Sequence, residues 1–165
     1  LYNEHKPGTD WVGIDKESNM VVKAKEYCKD VKNIELCCDD ILLYDYKKSD
    51  FIVSYYCIQF IPPRNRQDFF NKIYESLNWG GAFVMFEKVR GSDARFQDMM
   101  ISLYNDFKKR KGFSPDEILN KTNSLKGVLE PFSDEGNLGL LRRAGFTDIM
   151  TVMKYVCFEG FLAIK

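Results

Sequence analysis

The chain of 165 residues is 45% hydrophobic and 15% aromatic, which is enough apolar material for a globular domain with its own core. Its 24 Lys and Arg residues balance 24 Asp and Glu residues, so no overall charge favours nucleic acid, and no direct nucleic-acid partner is expected. The sequence contains no apolar run of about 18 residues, so no membrane span or membrane partner is expected either.

An apolar run at residues 11–14 predicts a short strand that Asp15 closes. An acidic side chain at the carboxyl tip of such a strand can accept both hydroxyl hydrogens of a ribose. A helix N-cap or a solvated turn residue is the alternative role for Asp15, and its position alone does not choose between them. The next segment carries an apolar stripe at helical spacing, made of Met20, Ala24, Tyr27, Cys28 and Val31.

A second β-rich run, residues 34–38, is followed by Asp39, Asp40 and Ile41. A carboxylate after this strand can accept a hydrogen bond from an adenine amino group, while Ile41 and Met20 flank the ring. The alternative is that Asp39 and Asp40 only cap a turn. Two successive strands that end in carboxylates, about one βα unit apart, favour an adenosine site over that alternative.

Residues 50–88 predict a βαβ unit. The run from Phe51 to Phe60 is almost continuously apolar, which is typical of a parallel strand buried on both faces, and this strand is expected to end near Gln59. A helix beginning at Pro62-Pro63, a Gly-Gly turn and a strand at residues 82–86 then follow, with Glu87 and Lys88 at the end of the last strand. Ligands of open α/β sheets bind at the carboxyl ends of strands, so residues 55–59 and 87–88 are candidate binding segments.

Residues 89–132 predict a helical insertion. One amphipathic helix covers residues 94–107, and its apolar stripe indicates packing in the core or against a second subunit, as in a homodimer. A second helix begins at the capping box of Ser114 and Glu117. The basic run at residues 108–111 is interpreted mainly as a solvated helix terminus. The candidate cations for a substrate carboxylate are Arg90, Lys109 and Lys121.

The remaining chain predicts a helix that ends at Gly145 and an antiparallel hairpin from segments 148–153 and 155–164. Five cysteines without a C-x-x-C pair predict reduced core thiols and a cytoplasmic protein. No grouped Cys and His ligands indicate a metal site, and the single histidine, His5, is expected at the surface.

The longer motifs of the chain resemble those of one enzyme family. They are VGID-x4-M, CDDI, CIQFIPPRNRQDFFNKIYESLNWGGAFVMFEK, YNDFKKRKGFSPDEILNK, LRRAGF and the final FLAIK. Together they cover nearly the whole chain and resemble the bacterial carboxy-S-adenosylmethionine synthases. The resemblance implies transfer of a carboxyl group, released from prephenate as carbon dioxide, onto the methyl carbon of S-adenosylmethionine. It also implies a partner enzyme that uses the product to modify wobble uridine in tRNA.

The same resemblance implies site residues. It places Asp15 at the cofactor ribose, Asp40 and Ile41 at the adenine, and Met20 near the adenosine. We add Tyr55 and Gln59 as candidate cofactor-binding residues at the end of the third strand. The cofactor is then S-adenosylmethionine in its methylated, carboxylated or demethylated form, with a small-molecule acid such as prephenate as substrate. No catalytic residue is assigned.

The chain departs from the family pattern at three places. Tyr55 replaces an Asn, and Tyr104-Asn105 replaces a His-His pair. Lys121 is followed by Thr122, where the family has an arginine that holds the transferred carboxylate. Threonine cannot form a charge-assisted bidentate pair. Ordinary methyl transfer to a small molecule or tRNA, or a non-catalytic scaffold, therefore stays open as an alternative. A nicotinamide-dependent oxidoreductase is a third alternative, against which the carboxyl-terminal half argues.

The implied fold is α/β, a Rossmann-like doubly wound sheet of the class I methyltransferase type, mostly parallel with a carboxyl-terminal antiparallel hairpin. In this fold a first strand and its Gly-rich turn precede Asp15, and residues 1–10 do not supply them; they look like a helix end that Lys6-Pro7-Gly8 terminates. We therefore expect an amino-terminally incomplete single domain at residues 1–165, with residues 89–132 lying over the active site.

Overall fold

The computed structural model describes residues 8–165, so His5 and most of the expected amino-terminal helix end lie outside the described residues. The chain divides into two compact units, Leu1–Asp45 and Tyr46–Lys165, which are described separately.

Unit 1 contains a parallel strand pair and one helix. β1 and β2 pair from Trp11 opposite Ile34 to Asp15 opposite Cys38. Asp15 and Asp39 therefore both lie at the carboxyl edge of this strand pair. The predicted helical stripe is partly wrong: Val21 is the buried residue of the helix, whereas Met20 and Tyr27 are exposed. The elements are β1 (Trp11–Asp15), α1 (Ser18–Tyr27) and β2 (Ile34–Cys38).

Unit 2 contains a four-stranded sheet in the order β3-β4-β6-β5. β3 and β4 are parallel, and the other two pairings are antiparallel, which confirms the closing hairpin. The strands are β3 (Ser49–Tyr55), β4 (Leu77–Lys88), β5 (Asp148–Tyr155) and β6 (Phe158–Ile164), and the helices are a 3₁₀ turn (Ile58–Phe60), α2 (Pro63–Ser76), α3 (Ala94–Arg110), α4 (Pro115–Ser124) and α5 (Asp134–Ala144).

β3 is shorter than the sequence predicts. It ends at Tyr55, and Tyr56 takes a left-handed φ of 56° before the 3₁₀ helix, so the expectation of a strand ending near Gln59 is wrong. Continuous apolar character cannot separate a strand from a buried helical turn. The expected burial of both faces is also wrong, because Phe51 and Tyr55 are exposed.

β4 is longer than the sequence predicts and begins at Leu77, so the expected Gly-Gly turn is part of the strand. Gly80 has a φ of 76°, and the pairing register with β3 shifts between Ser49 and Phe51, which indicates a local bulge. Gly81 has no room for a side chain, since a Cβ would lie 2.9 Å from the Asn78 carbonyl oxygen. The two glycines therefore serve an irregular strand rather than a turn.

The core of unit 2 lies between the sheet and helices α2 and α5. Its apolar members include Phe70, Phe83, Leu141, Phe146 and Phe161, all at most 1% exposed. α5 begins at Ser133, whose hydroxyl accepts the Gly136 N–H, and ends at Gly145 with a φ of 115°, as predicted. No helix of the described residues is both long and apolar enough to span a membrane.

The insertion forms α3 and α4, and the capping box of Ser114 and Glu117 is present as predicted. No residue of α3 is buried, so the prediction that Phe96, Met99 and Leu103 pack in the core is wrong. Packing of this helix against a second subunit stays a prediction. None of the five cysteines forms a disulfide, but only Cys157 is a buried core thiol, and Cys38 and Cys57 are exposed.

Candidate functional site

The first candidate site is the carboxyl edge of the strand pair in unit 1. The Asp15 carboxylate accepts a hydrogen bond from the Glu17 backbone N–H (2.8 Å), which fixes the turn into α1. The Asp15 carbonyl oxygen accepts from the Asp39 N–H (3.1 Å), so the ladder continues past β2. The Asp15 side chain is exposed and uses one of its several acceptor positions, which leaves others for a ligand.

The Asp40 carboxylate is held on both oxygens. One accepts the Leu42 N–H (2.9 Å), and the other lies 3.1 Å from the Lys16 ammonium nitrogen. The Leu42 hydrogen bond, followed by the Lys16 hydrogen bond, lowers the pKa of Asp40 below its ordinary value. Asp40 is therefore a carboxylate at neutral pH and can act only as an acceptor.

A cavity of about 230 Å³ adjoins Asp15 in unit 1. Among residues 8–165, its wall is mostly apolar and has Asp15 as its one charged side chain. Gly13 keeps β1 close to β2, because a Cβ there would meet the Leu36 side chain at 2.7 Å. Apolar walls with a single acceptor suit a ligand that is partly hydrophobic and carries hydroxyl groups. The cavity is lined by Gly13, Ile14, Asp15, Met20, Val21, Ala24 and Leu36.

The predicted residues of unit 1 thus fall into two groups. Asp15 and Met20 share the wall of the cavity, whereas Asp40 and Ile41 lie in the turn after β2 and are not part of that wall. Met20 is 53% exposed, so a ligand can reach it. The contacts of these residues with a cofactor stay a prediction.

The second candidate site is the end of β4 in unit 2, where Glu87 is 1% exposed. Its two oxygens accept the backbone N–H groups of Ile58 and Gln59, each at 3.0 Å. Burial raises the pKa of Glu87 to about 7, although these hydrogen bonds and the charge of Arg66 oppose the change. Glu87 fastens the 3₁₀ helix to β4, which is a structural use of a strand-end carboxylate.

Gln59 and Arg66 complete this buried network. The Gln59 side-chain oxygen accepts the Lys88 N–H (3.0 Å), and its amide nitrogen donates to the Tyr56 carbonyl (3.3 Å). The Arg66 guanidinium is 1% exposed and donates to the carbonyl oxygens of Ile61 (2.8 Å), Gln59 (3.3 Å) and Glu130 (2.6 Å). Cofactor binding by Gln59 stays a prediction, but its side chain already has partners on both ends.

Tyr55 differs from Gln59 in its freedom. Its side chain is 66% exposed at the end of β3, and its ring contacts the rings of Tyr56 and Phe86 at centroid distances of 4.5 and 5.7 Å. It is the member of the predicted pair that a ligand can reach directly.

The three predicted carboxylate-binding cations lie in different segments. Arg90 follows β4, and its backbone forms an isolated β-bridge with the backbone of Ser133. Lys121 is exposed in α4. Lys109 in α3 lies 3.9 Å from Asp106. Across residues 8–165 the three share no common acidic partner, and their role in substrate binding stays a prediction.

Lys88 lies in a predicted binding segment and Lys108 in the predicted basic run, but neither was among the predicted carboxylate-binding cations, and their approach to one ring was not predicted. The ammonium groups of Lys88 and Lys108 both lie over the ring of Tyr104. A spacing of four residues in a helix places Lys108 beside Tyr104, so this half of the cluster has a sequence signal. The approach of β4 to α3, which brings Lys88 to the same ring, has no signal in the sequence. Over the described part of the chain, no three His, Cys, Asp or Glu side chains group closely enough to hold a metal ion.

Known proteins resemble this chain in sequence and structure. A family model described as a methyltransferase domain matches residues 1–81. The carboxy-S-adenosyl-L-methionine synthase of Sulfurimonas denitrificans is 36% identical over 155 residues, covering 93% of this chain and 66% of the relative. The enzyme of the same name from Nautilia profundicola is 37% identical over 162 residues, covering 97% of this chain and 69% of the relative. The chain thus spans about two thirds of the length of these relatives.

The solved structure of human N-acetylserotonin methyltransferase in complex with SAM has a TM-score of 0.62 and 18% identity, covering 96% of this chain and 41% of that chain. This likeness shows the fold. The α/β class I methyltransferase architecture, with its carboxyl-terminal antiparallel hairpin, is therefore confirmed. S-adenosylmethionine or a derivative is the cofactor that the family implies. The chain belongs to the family of carboxy-S-adenosyl-L-methionine synthases, which are S-adenosylmethionine-dependent transferases.

Proposed function

We propose that the intact protein transfers a carboxyl group from prephenate to the methyl carbon of S-adenosylmethionine. The observation that carries the proposal is the family membership, which extends over more than nine tenths of this chain. The carboxyl edge of unit 1 supports it, because that edge offers the acceptors that an adenosine requires.

In this proposal Asp15 accepts hydrogen bonds from the ribose hydroxyls. The single backbone N–H bound by Asp15 orients the carboxylate and leaves acceptor positions available. The adjoining apolar cavity, with Met20 in its wall, receives part of the nucleoside. Asp40 accepts from the adenine amino group beside Ile41, and its Lys16 partner keeps it ionised. Tyr55 contributes an accessible aromatic ring.

The chemistry requires little from a protein base. A sulfonium makes its methyl carbon electrophilic and its methyl protons weakly acidic, so an oriented methyl group can lose a proton and form a bond to carbon dioxide. When prephenate loses carbon dioxide, its ring becomes aromatic by expelling the ring hydroxyl as hydroxide, which leaves phenylpyruvate. The hydroxide takes the methyl proton and becomes water, and the protein's role is to hold the two substrates together. Glu87 is unsuited to act as this base because both oxygens accept backbone hydrogen bonds in the core.

The wider setting follows from the same family. The product serves a partner enzyme that modifies wobble uridine in tRNA, and the reaction takes place in the cytoplasm, which suits a chain whose cysteines form no disulfide. The active protein is a homodimer whose second subunit covers the exposed apolar face of α3. Residues 1–165 belong to one S-adenosylmethionine-binding domain, and the 89–132 insertion is a helical part of it.

Thr122 is the observation that favours ordinary methyl transfer instead. Its hydroxyl donates to the Ile118 carbonyl oxygen (2.8 Å) within α4, so the side chain provides neither charge nor a free donor. A Thr122→Arg variant tests the point by adding the missing guanidinium. For a carboxyl transferase, the change adds little to binding of the carboxylated cofactor, because another cation already holds the carboxylate. For a methyltransferase, the change creates binding that the unmodified protein lacks.

The test of the proposed function is incubation of the intact protein with S-adenosylmethionine and prephenate, followed by mass spectrometry of the nucleoside product. The proposal predicts a carboxylated nucleoside that forms only when both substrates are present. Demethylated nucleoside with no carboxylated product would support methyl transfer and overturn the proposal.

A further inference from the structure

Two lysines from different elements of unit 2 share one aromatic ring. The ammonium nitrogen of Lys88, at the end of β4, lies 5.2 Å from the centroid of the Tyr104 ring. The ammonium nitrogen of Lys108 lies 4.4 Å from the same centroid. Cations at this distance are attracted to the face of an aromatic ring. The Tyr104 ring thus lies within 5.2 Å of two positive charges that come from different elements.

The sheet and α3 together fix this arrangement. Lys88 pairs with Phe158 across the antiparallel β4–β6 ladder, so both side chains lie on one face of the sheet. The Tyr104 ring packs edge-on against Phe158 at a centroid distance of 5.2 Å, and Tyr56 packs on Phe158 at 5.6 Å. The cluster thus stands on regular elements and not on a loop.

The two lysines lack a carboxylate partner. In residues 8–165, no Asp or Glu oxygen lies within 4 Å of the Lys88 or Lys108 ammonium group. Glu87, the neighbour of Lys88, alternates to the opposite face of β4 and is bound to backbone N–H groups. Glu159 forms its ion pair with Lys154.

Lys88 and Lys108 are both partly buried residues, and burial of an unpaired charge is unfavourable. Burial lowers the pKa of Lys108, and the positive charge of Lys88 lowers it further. Two like charges held together without a counter-ion are relieved by an anion that binds both of them. The aromatic walls of Tyr56 and Phe158 give this anion an apolar flank.

We propose that Lys88, Lys108 and the Tyr104 hydroxyl bind a carboxylate of the acid substrate. The inference rests on the proposed function and extends it, because it names cations other than Arg90, Lys109 and Lys121. In the proposed site the Tyr104 hydroxyl is a third donor, and the ring attracts the two cations that lie over it.

The experiment measures prephenate binding to the intact protein by calorimetry at low ionic strength. Lys88→Gln and Lys108→Gln are each expected to raise the dissociation constant at least tenfold. In turnover, both variants should raise KM for prephenate more than they lower kcat. Arg110→Gln is the matched control, since it removes one positive charge from the same last turn of α3, and its dissociation constant should stay within twofold. Unchanged thermal melting verifies that each variant is folded.

Several results would overturn the inference. Lysine variants that bind prephenate within twofold of the unmodified protein would remove the site, as would an equal loss in Arg110→Gln, which would indicate only general charge attraction. Absence of any prephenate binding by the unmodified protein would also contradict it. Lysine-dependent binding without a carboxylated nucleoside would leave the acid site standing and defeat the proposed function. A carboxylated nucleoside formed with unchanged KM in both variants would do the reverse.

Discussion

Asp40 in unit 1 and Glu87 in unit 2 are both carboxylates at strand ends, and both accept backbone N–H bonds, yet their pKa values move in opposite directions. Asp40 is within reach of solvent and of Lys16, and its pKa is lowered. Glu87 is 1% exposed, and burial raises its pKa to about 7 despite its hydrogen bonds. Desolvation therefore has the larger effect on the pKa of Glu87, whereas hydrogen bonds have the larger effect on the pKa of Asp40.

This difference distinguishes carboxylates that can bind a ligand from a carboxylate that stabilises the fold. A carboxylate that solvent reaches can also receive a ligand, as proposed for Asp15 and Asp40, because each carboxylate oxygen can accept more than one hydrogen bond. Glu87 is closed off from solvent, and its two oxygens accept N–H groups of the 3₁₀ helix, so its role is to hold the end of β4 in place. The predictions below test the comparison from its largest effect to its smallest.

Arg66 should give the largest effect. Arg66→Leu leaves three carbonyl oxygens without their buried donor and removes the positive charge near Glu87, so we expect a loss of about 3 to 5 kcal/mol in the free energy of unfolding. Arg64→Leu, an exposed change two residues earlier in α2, should cost less than about 0.5 kcal/mol. Urea unfolding measures both variants, and equal losses would contradict the structural role of the buried network.

Glu87 should make stability depend on pH with a definite sign. Its pKa is raised in the folded protein, so the folded state holds a proton that the unfolded state has released, and stability falls as pH rises from about 4.5 to about 7. The contribution is up to about 3 kcal/mol between these limits. Glu87→Gln should remove this component, which urea unfolding at pH 5 and pH 8 can measure. Parallel pH dependence in both proteins would show that Glu87 does not carry the effect.

Asp15 should affect binding more than folding. Asp15→Ala is expected to weaken S-adenosylmethionine binding by about 1 to 3 kcal/mol, the usual consequence of losing a charged acceptor. Asp10→Ala, an exposed change just before β1, serves as the control and should leave affinity unchanged. Calorimetry with the intact protein tests this, and an unaltered dissociation constant for Asp15→Ala would end the ribose assignment.

Asp40 should give the smallest change in stability. The Lys16 side chain is 74% exposed, so loss of the ion pair in Asp40→Asn should lower the free energy of unfolding by less than about 1 kcal/mol. The expected binding effect is selective, with adenosine ligands weakened more than analogues that carry another base. Asp39→Asn is the neighbouring control. Equal weakening for all bases would argue against adenine recognition by Asp40.

Apolar spacing predicts α2 and α5 well, because their buried faces repeat at helical intervals and Pro63 and Gly145 mark their limits. It fails between Tyr55 and Phe60, where a left-handed Tyr56 and buried hydrogen bonds to Glu87 turn an apolar run into a 3₁₀ helix. Those bonds join residues 28 and 29 positions apart, which no local pattern contains. Similarly, their positions at strand ends make Asp15 and Asp40 candidate site residues from the sequence. The approach of Lys88 and Lys108 to the Tyr104 ring depends on tertiary packing.

The proposed reaction moves a carboxyl group from prephenate to the methyl carbon of S-adenosylmethionine. The most direct test uses prephenate labelled with ¹³C in the carboxyl group that leaves as carbon dioxide, incubated with the intact protein and unlabelled S-adenosylmethionine. The proposed transfer predicts a carboxylated nucleoside that carries the label on the carbon attached to the former methyl group, as mass spectrometry can show. A product without the label, or only demethylated nucleoside, would contradict the proposed transfer.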